Sequence, residues 1–167
     1  MSRIGFSILS LVGLSACRSP FLLSRDAEGA VIKGPLDNAF VFYDYNFNGI
    51  WDSNEPFTKT EADGSFVLNG KRGYSFTVRT DETTIDASSG EAIPNIMLKA
   101  PSGSGVVTPT TTIMEETGLD GASVNAILGL PADLDPTQFN PFSEDADPEM
   151  ALAAEKVAHQ VMTTVTA

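Results

Sequence analysis

The sequence predicts a mostly β fold, in which a small antiparallel β-sandwich is followed by a short α-helical segment. Between residues 29 and 100, short runs of β-branched and aromatic residues are separated by turn dipeptides, as in small sandwiches. From residue 109 onward, apolar residues recur at helical spacing instead. The chain has 167 residues, the length of one domain or one and a half. Its 42% hydrophobic and 19% charged residues exclude a disordered or fibrous chain.

Five segments of the β region have the composition of strands. Turn dipeptides at 63–64 and 69–70 bound the third segment. The fourth segment alternates apolar and polar residues, which is typical of a strand with one buried face. In chain order, the predicted strands cover residues 30–33, 39–43, 65–68, 74–79 and 96–99.

Three helices are predicted in the second part of the chain. Thr108 and Pro109 are suited to cap and begin the first, which ends near Gly118. The second covers residues 121–128 and ends at the following glycine. The third begins at about Pro148. Its apolar residues share one face, which we expect to pack against a core, and they are Met150, Ala154, Val157, Val161 and Val165.

The charge and the counts of rare residues exclude several functional classes. With 10 basic and 22 acidic side chains, the net charge is −12, so the chain repels phosphate backbones and we expect no nucleic-acid partner. One cysteine permits no disulfide within the chain and no cysteine-based zinc site. The single histidine, His159, excludes a multi-histidine metal site.

The first residues have the pattern of an export signal. After a short basic start, an apolar run of 11 residues extends from Ile4 to Leu14 and is too short to span a bilayer. The run ends in Leu14-Ser15-Ala16-Cys17, which resembles the lipobox of bacterial lipoproteins. The resemblance implies cleavage before Cys17 and a diacylglycerol on its sulfur, and Arg18 in place of Asp implies the outer membrane. An ordinary secretory signal is the alternative. Cleavage leaves 9 basic and 22 acidic residues, so the mature charge is 9 − 22 = −13.

One motif predicts a metal site. Residues 44–55 read DYNFNGIWDSNE and fit the pattern D-x-[DN]-x-[DN]-G-x5-E of calcium loops. Calcium binds six to eight oxygen ligands, and the glycine at position six allows the sharp turn. The predicted ligands are side-chain oxygens and one backbone carbonyl, namely Asp44, Asn46, Asn48, Ile50 (carbonyl), Asp52 and Glu55. The alternative is a polar turn without a metal.

The flanking residues indicate a loop between strands, because strand formers precede it and Pro56 would disrupt an exiting helix. With the hairpin Thr60-Glu61-Ala62-Asp63-Gly64-Ser65-Phe66-Val67-Leu68, residues 29–100 resemble the B-type domains of serine-aspartate repeat adhesins and carboxypeptidase-regulatory-like domains. That resemblance implies a transthyretin-like or immunoglobulin-like sandwich with bound Ca²⁺. Asp63, in the neighbouring turn, is a further candidate ligand, and the alternative is that it only forms the turn. The helical part is similar to segments that follow such sandwiches in large bacterial surface proteins.

These features predict the following organisation: signal peptide 1–16, tether 17–28, calcium-binding sandwich 29–100, linker 101–108 and helical segment 109–167. A helical segment that is truncated at residue 167 is the alternative to one that ends there. We expect a non-catalytic module of the cell envelope, anchored in the outer membrane through Cys17 and facing the periplasm or the exterior, with a structural or adhesive role and a surface protein or glycan as partner. The alternatives are a carbohydrate-binding or enzyme-accessory module, which would need a coplanar set of exposed aromatic rings, and an N-terminal fragment of a larger surface protein.

Overall fold

A computed structural model describes residues 25–71 and 73–165, and the predicted signal peptide and most of the tether lie outside them. The described residues form ten strands and three helices. The strands are β1 (Arg25–Val31), β2 (Leu36–Asp37), β3 (Phe40–Tyr43), β4 (Phe57–Lys59), β5 (Ser65–Gly70), β6 (Phe76–Arg79), β7 (Ile85–Asp86), β8 (Glu91–Ala92), β9 (Met97–Ala100) and β10 (Val106–Val107). The helices are α1 (Pro109–Thr117), α2 (Gly121–Leu128) and α3 (Pro148–Val165).

Two sheets pack face to face, which confirms the predicted small β-sandwich followed by helices. One has the strand order β10-β1-β5 and the other the order β4-β3-β6-β9. A short third sheet has the order β2-β7-β8. Within each sheet, neighbouring strands are antiparallel, except that β10 runs parallel to β1. Buried side chains from both main sheets form one core, including Val31, Phe66, Leu68 and Val107 from the first and Val41, Tyr43, Phe76, Val78 and Leu98 from the second.

The boundaries of the sandwich differ from the prediction at both ends. Strand β1 begins at Arg25, so residues 25–28 of the predicted tether belong to the sheet, where they pair with β5. Asp, Glu and Gly are weak strand formers, but pairing with a neighbouring strand overrides that preference. Residues 101–108 are not simply a linker, because Val106 and Val107 form β10 and are buried.

The helices begin and end close to the predicted residues. Thr108 caps α1 by accepting the backbone N–H of Thr111, and the left-handed Gly118 follows its last residue. Helix α2 ends in the same way at Gly129. Helix α3 begins at Pro148, as predicted.

The helical part packs on the sandwich and does not form a separate unit. The Thr111 hydroxyl donates to the Lys99 carbonyl of β9 at 2.9 Å. The Lys99 ammonium lies 2.7 Å from the Glu116 carboxylate of α1. Of the predicted α3 face, Val157 is buried and Met150, Ala154 and Val161 are half-buried, whereas the Val165 side chain lies outside the description. Met162, which was not predicted, joins the sandwich core.

Candidate metal centre

The loop of residues 44–55 joins β3 to β4, two antiparallel neighbours of one sheet. It therefore connects strands rather than helices, as Pro56 predicts. Two residues in the loop adopt the left-handed conformation, Phe47 with φ 59° and Gly49 with φ 71°. A glycine enters that region without strain, whereas a phenylalanine seldom does. These two residues turn the chain back towards the sheet, as the calcium-loop pattern predicts for the glycine.

The first and last carboxylates of the loop are buried inside it, with Asp44 2% and Glu55 4% exposed. Asp44 accepts the backbone N–H of Asn48 at 3.1 Å and that of Gly49 at 2.6 Å. The two oxygens of Glu55 accept the N–H of Tyr45 at 2.7 Å and the N–H of Asp52 at 3.0 Å. Hydrogen bonds from several N–H groups stabilise an ionised carboxylate, so both can be buried with their charge.

The two asparagines and Asp52 complete the network. The Asn46 side-chain oxygen accepts the N–H of Asn48 at 3.1 Å, and the Asn48 side-chain oxygen accepts the N–H of Ile50 at 2.6 Å. Both amide NH₂ groups donate to the same Asp52 carboxylate oxygen, at 2.7 Å from Asn46 and 3.2 Å from Asn48. Five of the six predicted ligand residues thus have hydrogen-bonded side chains in one loop, and the sixth, Ile50, contributes only backbone.

The donor set suits calcium in kind, because it consists of three carboxylates, two amide oxygens and one carbonyl. In residues 25–71 and 73–165, however, no three acidic, histidine or cysteine side chains are grouped as a metal would require. A carboxylate oxygen has a second acceptor position, so Asp44 and Glu55 can bind an ion while they retain their N–H bonds. Both amide bonds to Asp52 reach the same oxygen, so its other oxygen can bind an ion while these bonds remain.

Aromatic rings attach the loop to the sheet. The Trp51 indole N–H donates to the Glu55 carbonyl at 3.0 Å. Its ring meets Phe40 edge-on at 5.9 Å and Phe57 edge-on at 5.2 Å between centroids. Trp51 is 39% and Phe57 53% exposed, and their planes are 77° apart. These two exposed rings are therefore far from coplanar.

Asp63 is the one candidate ligand that the structure separates from the others. It lies beyond the end of β4, and its carboxylate accepts the N–H of Ser65 at 2.9 Å. The hydrogen bonds from Ser65 hold the pKa of this exposed carboxyl below its ordinary value. The loop lies at the opposite end of β5, where the Tyr45 hydroxyl accepts the N–H of Lys71. This position and the bond to Ser65 favour the alternative in which Asp63 only forms the turn.

The Tyr45 contact with Lys71 is a feature that the sequence interpretation missed. It ties the loop to the end of β5 at 3.1 Å, and the Tyr45 ring stacks on Tyr43 with centroids 6.3 Å apart. The sequence signal was present in the tyrosines on either side of Asp44, but only the pairing of distant strands brings Lys71 to the loop.

The remaining candidate residues lie elsewhere. Cys17 is outside the described residues. His159 is exposed on α3. Within the described part of the chain, the helices are too short or too polar to cross a membrane.

Comparison with protein-family models, with curated proteins and with solved structures finds no match for this chain.

Proposed function

We propose that this protein is a non-catalytic β-sandwich module of the cell envelope, lipid-anchored through Cys17 and stabilised by calcium in the loop of residues 44–55. Its role in this proposal is structural or adhesive. The observation that carries the proposal is the burial of Asp44 and Glu55 in a loop whose sequence matches the calcium pattern at every constrained position.

Calcium would act on stability through the loop. Asp44, Asp52 and Glu55 place three negative charges within twelve residues of a chain that already has a net charge of −12. An ion that binds the folded loop and not the unfolded chain shifts the folding equilibrium by about 2.7 kcal/mol at a hundredfold excess over Kd. In this proposal the ion links β3 to β4 and stabilises the edge strand β4 on its neighbour β3.

Three further observations support a role without catalysis. The only histidine of the sequence, His159, is exposed on α3 and its carbonyl accepts the Thr163 hydroxyl. The only cysteine is the residue proposed to carry lipid. The acidic residues of the candidate site are engaged with backbone N–H groups and amides rather than held free for proton transfer.

Thermal melting with calcium and with a chelator tests the proposal. We expect the parent protein to melt at a higher temperature with calcium. The matched control is Asp63→Asn, which removes one negative charge from a turn at the other end of β5 and should retain the full calcium shift. Equal melting temperatures of the parent in the two conditions would disprove the calcium site.

A further inference from the structure

The loop of residues 44–55 buries two of its three carboxylates and leaves several of its apolar side chains outside. Asp44 and Glu55 are buried, whereas Phe47 is 65%, Ile50 55% and Trp51 39% exposed. This distribution is the reverse of an ordinary solvated loop, in which carboxylates face water. Large exposed apolar side chains in one loop are candidates for an interaction surface.

The same end of the sandwich is where the chain enters the fold. Arg25, the first residue of β1, pairs with Gly70, the last residue of β5. Gly70 lies against Tyr43 and Pro56, the two residues that flank the loop, so that a Cβ on Gly70 would meet their side chains at 2.7 Å and 2.8 Å. The chain that precedes β1 therefore leaves the sandwich beside the base of the loop.

The distance to the predicted lipid is short. Seven residues separate Cys17 from Arg25. Eight steps of chain reach at most about 28 Å when fully extended. Strand β1 itself extends away from this end, so the other end of the sandwich lies about 20 Å from the point where the preceding chain joins the fold. The loop end therefore lies within reach of a bilayer that holds Cys17.

The side chains at this end suit a lipid–water interface. Tryptophan and other aromatic residues prefer the headgroup region, where an apolar ring and a polar N–H are both accommodated. Lys71, which lies at the same end with its ammonium 5.6 Å from the centre of the Tyr45 ring, is exposed and suited to lipid phosphate. The buried position of Asp44 and Glu55 keeps two carboxylates away from the phosphates.

We propose that the tip of this loop is a membrane-contact surface, in which Phe47 and Ile50 enter the headgroup region of the leaflet that holds lipidated Cys17. Trp51 follows Ile50 in the chain and packs on Phe40 and Phe57. This inference rests on the lipid anchor of the proposed function. The contact fixes the orientation of the sandwich, with the loop towards the bilayer and the Asp63 turn away from it.

Trp51 is the only tryptophan, so its emission reports the position of the loop directly. The full chain, purified from membranes, is placed in phosphatidylcholine vesicles whose acyl chains are brominated close to the headgroup. We expect lower Trp51 emission than in the same vesicles without bromine. The variant Phe47→Ser with Ile50→Ser should lose most of that quenching. The control, Ile127→Ser with Leu152→Ser, removes two side chains of α2 and α3 that are 68% and 54% exposed, and should keep it.

The outcomes separate this inference from the proposed function. If Cys17 carries diacylglycerol by mass and the protein sediments with the vesicles, equal emission with and without bromine overturns the membrane contact and leaves the anchor intact. If Cys17 carries no lipid, the anchor and the contact both fail. Acrylamide in solution quenches an exposed tryptophan. If a soluble polysaccharide protects Trp51 from this quenching and vesicles do not, the loop binds a glycan and the membrane contact is overturned. The comparison of parent emission with and without bromine tests the contact by itself, so it remains valid if a variant misfolds.

Discussion

Glu55→Gln separates the two roles that the structure and the sequence give to this side chain. In the structure, the Glu55 oxygens accept two backbone N–H groups, from Tyr45 and Asp52, in a position that is 4% exposed. In the calcium proposal, the same two oxygens close the coordination shell. Glutamine has nearly the same shape but only one acceptor oxygen, so it can satisfy only one of the two N–H groups.

The loss of stability that Glu55→Gln causes without calcium follows from the N–H group that is left without an acceptor. A buried donor left without a partner costs about 1–3 kcal/mol of the free energy of unfolding. For a domain of this size, each kcal/mol lowers the melting temperature by about 4 °C. Glu55→Gln should therefore melt about 4–12 °C below the parent in a chelator. With calcium, the parent gains up to about 2.7 kcal/mol at a hundredfold excess over Kd, and the variant gains much less, so the difference widens.

The assay is scanning calorimetry of the parent, Glu55→Gln and the control Asp63→Asn, each with calcium and with a chelator. The control retains an oxygen that can accept the Ser65 N–H, so its melting temperature should stay near that of the parent in both conditions. Equal melting of Glu55→Gln and the parent in the chelator would refute the argument from hydrogen bonds. An unchanged calcium shift in Glu55→Gln would refute its role as a ligand.

Three further predictions concern the anchor and the fold. Cys17→Ser should leave the protein unprocessed or release it from the membrane fraction, and fractionation identical to that of the parent without any change in lipid would exclude the lipobox. Burial raises the pKa of Asp86, but the bond from Lys33 at 3.0 Å and nearby N–H groups outweigh it and hold the pKa below its ordinary value. The stabilisation is thus present above the unfolded pKa of about 3.9 and is lost as the pH falls through the folded value. Asp86→Asn should consequently melt below the parent at pH 7 and approach it in acid, and a difference that is constant with pH would contradict this. Gly64→Ala should cost more than about 1 kcal/mol, because φ is +79° and the new Cβ would lie 2.7 Å from the Val31 carbonyl oxygen; an unchanged denaturant midpoint would show that this turn is not strained.

Local signals predicted the helices well because caps and terminators are local. Thr108 with Pro109 begins α1, and the glycines at 118 and 129 end α1 and α2, as their preference for these positions predicts. The core strands were predicted for the same reason, since β3 has the β-branched and aromatic composition of a strand and β6 alternates apolar and polar residues.

The short strands could not be predicted, because long-range pairing determines them. Strand β10 has two residues in a stretch rich in serine and glycine, and it exists because Val106 and Val107 pair with β1. The start of β1 is set in the same way by its partner β5. The calcium-loop motif can be recognised within twelve residues of sequence. The position of the loop relative to Asp63, however, depends on the direction in which β4 and β5 run. The motif predicts candidate ligands, and only the fold shows that Asp63 lies away from them.

Titration of calcium into the purified protein, with the heat of binding measured by calorimetry, tests the central proposal most directly. We predict one ion per chain, with a Kd in the range of about 10⁻⁴–10⁻³ M of extracellular modules or somewhat tighter. Glu55→Gln should weaken binding more than Asn46→Ala does, because it removes a charged ligand with two oxygens. No binding to the parent at calcium concentrations well above that range, or equal binding to the parent and to Glu55→Gln, would contradict the calcium site and the function proposed from it.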